Sequence, residues 1–556
     1  MDSPRFKREF LLYGLAFLLA LTLRLVRLGA FSLTDTEATA ALQALDVVRG
    51  LREGVGPHSL YVLLTSVFFF AFDNTNFFAR LAPALTGSLL VFAPMLFQHR
   101  LKPRTSLILA FFLALDPGLL ALSRQAGSAI FAVTFLLFAW GFWERGHTKW
   151  AGVCAALALL GGPAFWPGLL GLGLTWAILQ GMNYRSADSD RPSDLRGFGL
   201  AFLAALVLFG TFFFLVPAGL GGIFDGLTEY LRNWTVPSNV PSSHLYLSLL
   251  FYQPLTMLFA LVGIIRGWMV GSRRVTRLSI WLLVAVLLAV FYPGRQVHDL
   301  VWTLIPLSAL AALELSRHLD IRAGERGEVL GVTALTFIIL IFAWLDLASL
   351  AWSPAVPGQS NLRLVLFVAA ILLLAVSLLL VSVGWSIRSA RFGAVWGVTI
   401  VLTLFTLSAG IGAGHIRAGY SAELWDAGPY PAHADLLAAT VDQLSQWGTG
   451  SDTDLPVTVL NVKSPALMWA LHHHEVTVVG ALDASTSPAI LITPLQGEPA
   501  LAAAYRGQDF TWNQVPTWQG GFDTWLQWLV TRNMPQSIDT ILLWGRADLF
   551  LDSNTP

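Results

Sequence analysis

The chain has 556 residues, with 34 Lys and Arg set against 34 Asp and Glu, so it has no net formal charge and no electrostatic basis for a nucleic-acid partner. Hydrophobic residues make up 55% of it, charged residues only 12%, and mean hydropathy is +0.64. That composition excludes an ordinary soluble domain, and the single Cys154, set in an apolar run, excludes an intrachain disulfide or a cysteine metal cluster.

The N-terminus MDSPRFKREF is basic and leads into an apolar run that continues to LTLRLVRLGA, which reads as an uncleaved first span over 9–30. Further candidate spans follow at 77–98, 106–121, 128–143, 150–163, 167–181, 198–217, 245–265, 278–292, 300–315, 329–350, 363–385 and 393–413. The run LYVLLTSVFFFAF at 60–72 is too short to span comfortably and reads as an interfacial or re-entrant helix. GGPAFWPG breaks or kinks the helix pair between 150 and 181.

Lys and Arg then fix the orientation. With the N-terminus inside, Arg5, Lys7 and Arg8, the HRLKPR loop, Arg145 and Lys149, Arg185, Arg191 and Arg196, the Arg266 to Arg277 group, Arg317 to Arg326, and Arg388 and Arg391 all fall on the cytoplasmic side. The outside loops keep few: Arg49, Arg52, Arg124, Arg232 and Arg295. Cytoplasmic loops retain cations because moving them across the bilayer is unfavourable, so the pattern supports about 13 spans. The expected fold class is an α-helical polytopic membrane protein over residues 1–414, in the plasma membrane with a cytoplasmic N-terminus.

From about residue 415 polar residues, Gly and Pro rise, and short β-rich runs appear: PVTVLNV, EVTVVG, AILITP and DTILLWG. Helix-like stretches such as PYPAHADLLAATVDQLSQW lie between them. Residues 415–556 therefore read as an extracytoplasmic α/β domain.

The first outer loop, about 31–77, holds Asp35, Glu37, Asp46, Glu53, His58 and Tyr61. TEATAALQALDVVRG has helical spacing, with Ala41, Leu42, Leu45 and Val48 on one side, and reads as an amphipathic helix on the membrane surface. Asp35 and Glu37 at its start admit two readings: cap and first-turn acids, or a catalytic base. The short loop LALSRQAGS wedges Arg124 between apolar runs, where a cation pairs with a carboxylate, binds an anionic ligand or snorkels to the interface. Arg24, Arg27 and Arg80 fall at similar depth and could complete a phosphate-binding rim. YPGRQVHDL adds Arg295, His298 and Asp299, with His298 a second base, a ligand group or an ordinary loop histidine. In HHHE, 472–475, adjacent histidines of an extended segment point to opposite faces, so no metal site is expected there.

These features in this order, together with GPHSLYVLLTSVFFFAFDNTNFFARLAPALTGSLL, ALDPGLLALSRQAGSAIF and the later SPALMWALHHHEVTVVG, resemble the GT-C superfamily of membrane glycosyltransferases. The resemblance is to the protein-O-mannosyltransferase and aminoarabinose-transferase-like branch, and within it to the flippase-activity-associated glycosyltransferases. It spans about the first 145 residues and, more loosely, the C-terminal domain. It implies transfer of a sugar from a polyprenyl-phosphate donor to an acceptor outside the membrane, with inversion, without a metal or other cofactor. By position it implies Asp35 or Glu37 as the base, Arg124 facing the phosphate with Arg80 beside it, and His58 and Tyr61 lining the acceptor side. This chain departs from the family pattern in reading DTE rather than adjacent Asp-Glu. It also has Gly127 and Ser128 where relatives carry an acid, and Trp469, Ala470, Leu471 and His472 where relatives read Trp-Tyr-Leu-Arg. Those departures keep two alternatives in view: a catalytically degenerate binding or assembly protein of the same fold, and a lipid or sugar transporter.

Overall fold

Residues 4–51, 54–182, 194–352, 359–426, 428–483, 486–495 and 501–550 are described by a computed structural model. The sequence candidates Arg52, Glu53, Arg185 and Arg191 lie outside the described residues.

Helix α1 (Pro4–Leu25) is the first apolar helix, and the chain leaves it through a left-handed turn at Arg27 (φ 55°). Helix α2 (Asp35–Val48) follows, with Glu37, Ala38, Ala40, Ala41, Ala44 and Leu45 buried. Small residues on that face let it lie closely against helix α3 (Ser59–Ala71). With 13 residues, α3 is too short for a perpendicular crossing of the hydrocarbon core. Helix α4 (Asn76–Leu89) continues through a tighter turn to Leu96 as one candidate span.

Six helical stretches among the described residues are long and apolar enough to cross a membrane: 76–96, 273–291, 297–318, 323–351, 362–384 and 387–413. Two broken pairs bring the number to eight. Residues 103–115 and 117–123 meet at 56°, and residues 242–252 and 254–269 meet at 91°. Each break stands one residue before a proline, which cannot donate an amide to the preceding turn. The freed polar groups are satisfied locally: Asp116 accepts from the Leu119 amide at 2.9 Å, and Gln253 donates to Asp116 at 2.9 Å. The two breaks are therefore tied to each other, as irregular backbone at membrane depth requires. The 150–181 region consists of two helices, Thr148–Leu160 and Phe165–Gly181, separated by the Gly-Pro turn.

The last long helix ends at Ala413. Beyond it lies a mixed six-stranded sheet in the order β1-β5-β6-β4-β2-β3. Its strands are β1 (Tyr430–Pro431), β2 (Val457–Leu460), β3 (Val476–Val479), β4 (Ile490–Pro494), β5 (Tyr505–Pro516) and β6 (Gln536–Arg546). β2 runs parallel to both β3 and β4, while β6 pairs antiparallel with β4 and β5. Helices Ala434–Thr449, Pro465–Ala470 and Phe522–Thr531 accompany the sheet.

This domain is fastened to the helical body at several points. Trp469 donates to the Asn76 side chain at 2.8 Å, and Arg49 to the His472 carbonyl at 2.7 Å. The buried Glu423 accepts from Tyr252 of the body and faces Arg532 of the domain at 3.5 Å.

Candidate functional site

A cavity opens where the ends of α1 and α4, the start of α2, the Arg124 loop and the segment 413–430 converge. Its lining includes Arg27, Glu37, Arg80, Arg124, His415, Tyr420, Asp426 and Tyr430. Charged side chains gathered at the end of a helical bundle are expensive to hold without partners, so their hydrogen bonds decide what each can do.

Glu37 has every oxygen engaged. Arg80 grips it in a fork, Nε to Oε1 at 2.8 Å and Nη2 to Oε2 at 2.8 Å. The Ala126 amide adds 3.0 Å to Oε1, and the Thr34 amide and hydroxyl each add 3.1 Å to Oε2. The residue is 2% exposed. Burial raises its carboxyl pKa, but Arg80 and the two amides more than offset that and hold it below the usual carboxylate range. A carboxylate so saturated is a weak proton acceptor. Its bond to Ala126 anchors the SRQAGS loop on α2, and Gly127, with φ 68°, lets that loop approach Ala40.

Asp35 does not line this cavity. Its Oδ1 accepts from the Ser464 hydroxyl at 2.6 Å and the Ala466 amide at 2.9 Å, at the start of helix Pro465–Ala470. The two acids are thus one buried ion-pair member and one cap for a helix of the other domain. Neither of the two sequence candidates for the base presents a free carboxylate to the cavity.

Arg124 lines the cavity and is 6% exposed. It donates to the carbonyls of Leu23, Arg24, Val26 and Arg27 at 2.8 to 3.2 Å and to that of Gly414. It therefore closes off the C-terminal end of α1, where four carbonyls lack helical partners. No carboxylate pairs with it among the described residues, so its charge remains available to an anion. Arg27 is exposed, lines the same cavity and has no side-chain partner among the described residues. Arg24 points elsewhere, to the carbonyls of Ala20, Leu113 and Ala114.

The remaining candidates stand apart from this cavity. Tyr61 is buried and donates to the Ala79 carbonyl at 2.9 Å, joining α3 to α4. His58 precedes α3 and lies against Gly162 and Gly127; burial, with His298 nearby, pushes it down to about 4. His298 is half exposed beside Asp299 at 3.8 Å. HHHE forms a turn rather than the extended segment expected, so the adjacent rings of His472 and His473 come within 3.9 Å of each other; His472 also stacks on Trp469, while His474 turns to Asp442 at 2.8 Å.

The segment 413–430 supplies what sequence reasoning missed. His415 Nε2 sits 2.6 Å from Asp426 Oδ1, and Asp426 Oδ2 accepts from Tyr420 at 3.2 Å. Tyr430 stacks on Tyr420 at 4.6 Å, and Phe31 closes over His415 at 5.6 Å. The only signal in the sequence was a cluster of His, Tyr and Asp within GHIRAGYSAELWDAGPY, just after the last apolar run.

A second, more polar cleft lies alongside, sharing Ser32 with the first and lined by Asn74, Thr75, Asn76, Asp435, Trp469 and His472. It runs between the loop before α4 and the helices of the C-terminal domain.

No protein-family model matches the sequence, and no curated protein matches it in sequence. Solved structures do match in fold. ArnT from Cupriavidus metallidurans bound to undecaprenyl phosphate superposes with a TM-score of 0.58 at 15% identity, covering 97% of this chain and 99% of that one. The same protein in the apo state gives 0.56 at 14% identity, covering 99% and 100%. An end-to-end match that includes both the helical body and the sheet domain is a match of architecture, and the chain has the multi-pass fold found in ArnT.

Proposed function

We propose that the protein is a membrane glycosyltransferase that takes a sugar from a polyprenyl-phosphate donor and passes it to a hydroxyl of an extracytoplasmic acceptor. One observation carries this reading. Arg27 and Arg124 converge on one cavity at the end of the helical bundle with no ion-pair partner among the described residues, while Arg80 beside them is already matched by Glu37 and Asp426 is held by His415. A cavity with surplus positive charge at that place suits the phosphate of a lipid whose tail stays in the bilayer. The fold agrees, since its relative ArnT was solved with undecaprenyl phosphate.

In this reading the phosphate rests against Arg27 and Arg124, and the sugar extends toward the wall 413–430. The neighbouring cleft gives the acceptor its approach, because Asn74, Asn76 and Asp435 offer donors and acceptors suited to hydroxyls. Attack on the anomeric carbon from the face opposite the phosphate inverts the configuration. Arg124 stabilises the charge that develops on the departing phosphate.

The engagement of both first-loop acids favours one other reading, a protein of this fold that binds the lipid carrier without transferring sugar. The full chain in lipid nanodiscs separates them. Undecaprenyl phosphate binding together with its release from an undecaprenyl-phosphate-linked pentose or hexose is expected of the transferase. Binding without release would establish the second reading, and no binding at all would overturn both.

A further inference from the structure

We infer that His415 is the general base of the transfer, oriented by Asp426, and that the acceptor hydroxyl gives its proton to His415 Nδ1. This rests on the reading of the protein as a glycosyltransferase and names the group that reading leaves open.

The first argument is elimination within the cavity. Glu37 has both oxygens saturated by Arg80, Thr34 and Ala126, and Asp35 is turned away to Ser464 and Ala466. The titratable groups left on the cavity wall are Asp426, His415 and the tyrosines.

The second argument is geometry. Asp426 Oδ1 holds the ring through Nε2 at 2.6 Å, and Tyr420 and the Glu423 amide hold Asp426 Oδ2 at 3.2 and 3.3 Å. A carboxylate on one ring nitrogen fixes the tautomer with the proton there, leaving the other nitrogen as the acceptor. That other nitrogen, Nδ1, is buried and has no hydrogen-bond partner among the described residues. His415 lines the cavity, and an orphaned buried polar atom there is costly unless something else meets it during function. The ring is held between Tyr420 at 5.8 Å and Phe31 at 5.6 Å, so its plane is set before substrate arrives.

The third argument is the backbone. His415 has φ 48° and closes the end of the helix 387–413 in a left-handed turn, its amide donating to the Gly412 carbonyl at 2.7 Å and the Ile416 amide to that of Ile411 at 3.0 Å. The neighbouring Gly414 carbonyl is held by Arg124, so the backbone that carries the ring is fixed before substrate arrives.

The step balances. The acceptor oxygen bonds to the anomeric carbon as the bond from that carbon to the phosphate oxygen breaks, its electron pair leaving with the polyprenyl phosphate. The hydroxyl proton moves to His415 Nδ1, and Asp426 stabilises the imidazolium that results. The charged and titratable groups facing His415 are Asp426, Tyr420, Glu423, Arg80 and Arg124. Burial lowers its pKa, but Asp426 and then Glu423 outweigh burial and Arg80, so it rises above its ordinary value. The neutral base therefore forms only as pH climbs through that raised value, and turnover should rise with it.

The test uses the full chain in nanodiscs, following release of undecaprenyl phosphate from undecaprenyl-phosphate-linked sugars across pH. His415→Ala should lose about 100-fold or more of turnover while still binding undecaprenyl phosphate, and added imidazole should restore part of the loss. Asp426→Asn should move the rising limb to lower pH, since it removes the charge that raises His415. His415→Gln serves if the alanine variant does not fold. Retained turnover in either His415 variant, or an unmoved limb in Asp426→Asn, would overturn the assignment, as would a wild type that binds the lipid but releases none. Failure of the wild type to bind undecaprenyl phosphate would sink the glycosyltransferase reading itself.

Discussion

The two walls of the cavity are built on opposite principles. On one side α2, α4 and the SRQAGS loop close around Glu37 and Arg80, whose hydrogen bonds to each other and to backbone leave the Glu37 carboxylate no vacancy. On the other, segment 413–430 holds a histidine at the left-handed turn that ends the last long helix, with one ring nitrogen unmatched among the described residues. The first wall keeps position and the second keeps chemical capacity. Charge in a cavity is thus a poor guide to chemistry until its partners are counted: the acid that looks catalytic in sequence is the one with nothing left to give.

Removing one member of the buried pair should break the comparison most severely. Arg80→Leu leaves Glu37 charged and buried, a loss of about 3–5 kcal/mol, and should show as a large fall in the melting temperature of the detergent-solubilised protein. Replacing both Arg80 and Glu37 with apolar residues should recover part of that loss, because no unpaired charge then remains.

The two walls should also answer pH in opposite senses. Glu37 is depressed on folding, so its contribution to stability is present above its ordinary value of 4.5 and is lost as pH falls through the lower folded value. His415 is raised, so its contribution is full below its ordinary value of 6.5 and is lost as pH climbs through the raised folded value. Melting curves of Glu37→Gln and Asp426→Asn should converge on wild type at the acid and alkaline ends respectively. Convergence at the same end for both would refute the contrast.

A smaller effect probes the rim. Arg27→Ala removes an exposed cation with no side-chain partner among the described residues, so folding should be unchanged while undecaprenyl phosphate binding weakens about tenfold, near 1.4 kcal/mol. Equal binding by the variant would mean the phosphate does not rest there. The smallest concerns Asp35. Asp35→Ala removes a cap worth about 1 kcal/mol from helix Pro465–Ala470, and amide exchange at residues 464–470 should quicken while exchange in α1 and α4 stays put.

Much of the architecture was legible because periodicity and hydropathy are local. The apolar runs, the change of texture after the last span and the short helix at 60–72 all follow from stretches of a dozen or so residues. The start of α2 was legible for the same reason, since Thr34 and Glu37 lie three residues apart. The site was less so. Glu37 reads as a first-turn acid or a base and Arg80 as part of a phosphate-binding rim, and nothing in sequence says that residues 43 apart neutralise each other. Arg124 reads as paired with a carboxylate, facing an anion or snorkelling, but its fixed partners are backbone carbonyls, which have no sequence signature. His415 and Asp426 fall at the start of what reads as the α/β domain, before its first β-rich run. They meet because the left-handed residue at 415 turns the chain back on itself, and a histidine in that conformation carries no local mark.

The Arg124 clamp also has a consequence for biogenesis. The carbonyls it satisfies at the end of α1 are synthesised about a hundred residues earlier, and its contact at Gly414 comes 290 residues later. The first helix therefore enters the bilayer with an unfinished end, which is completed only once the SRQAGS loop has emerged and returned to it. A nascent chain arrested before residue 124 should keep its first helix loosely seated and open to a translocon or chaperone. One arrested beyond that point should release it, so the early helices become committed as a group rather than one by one.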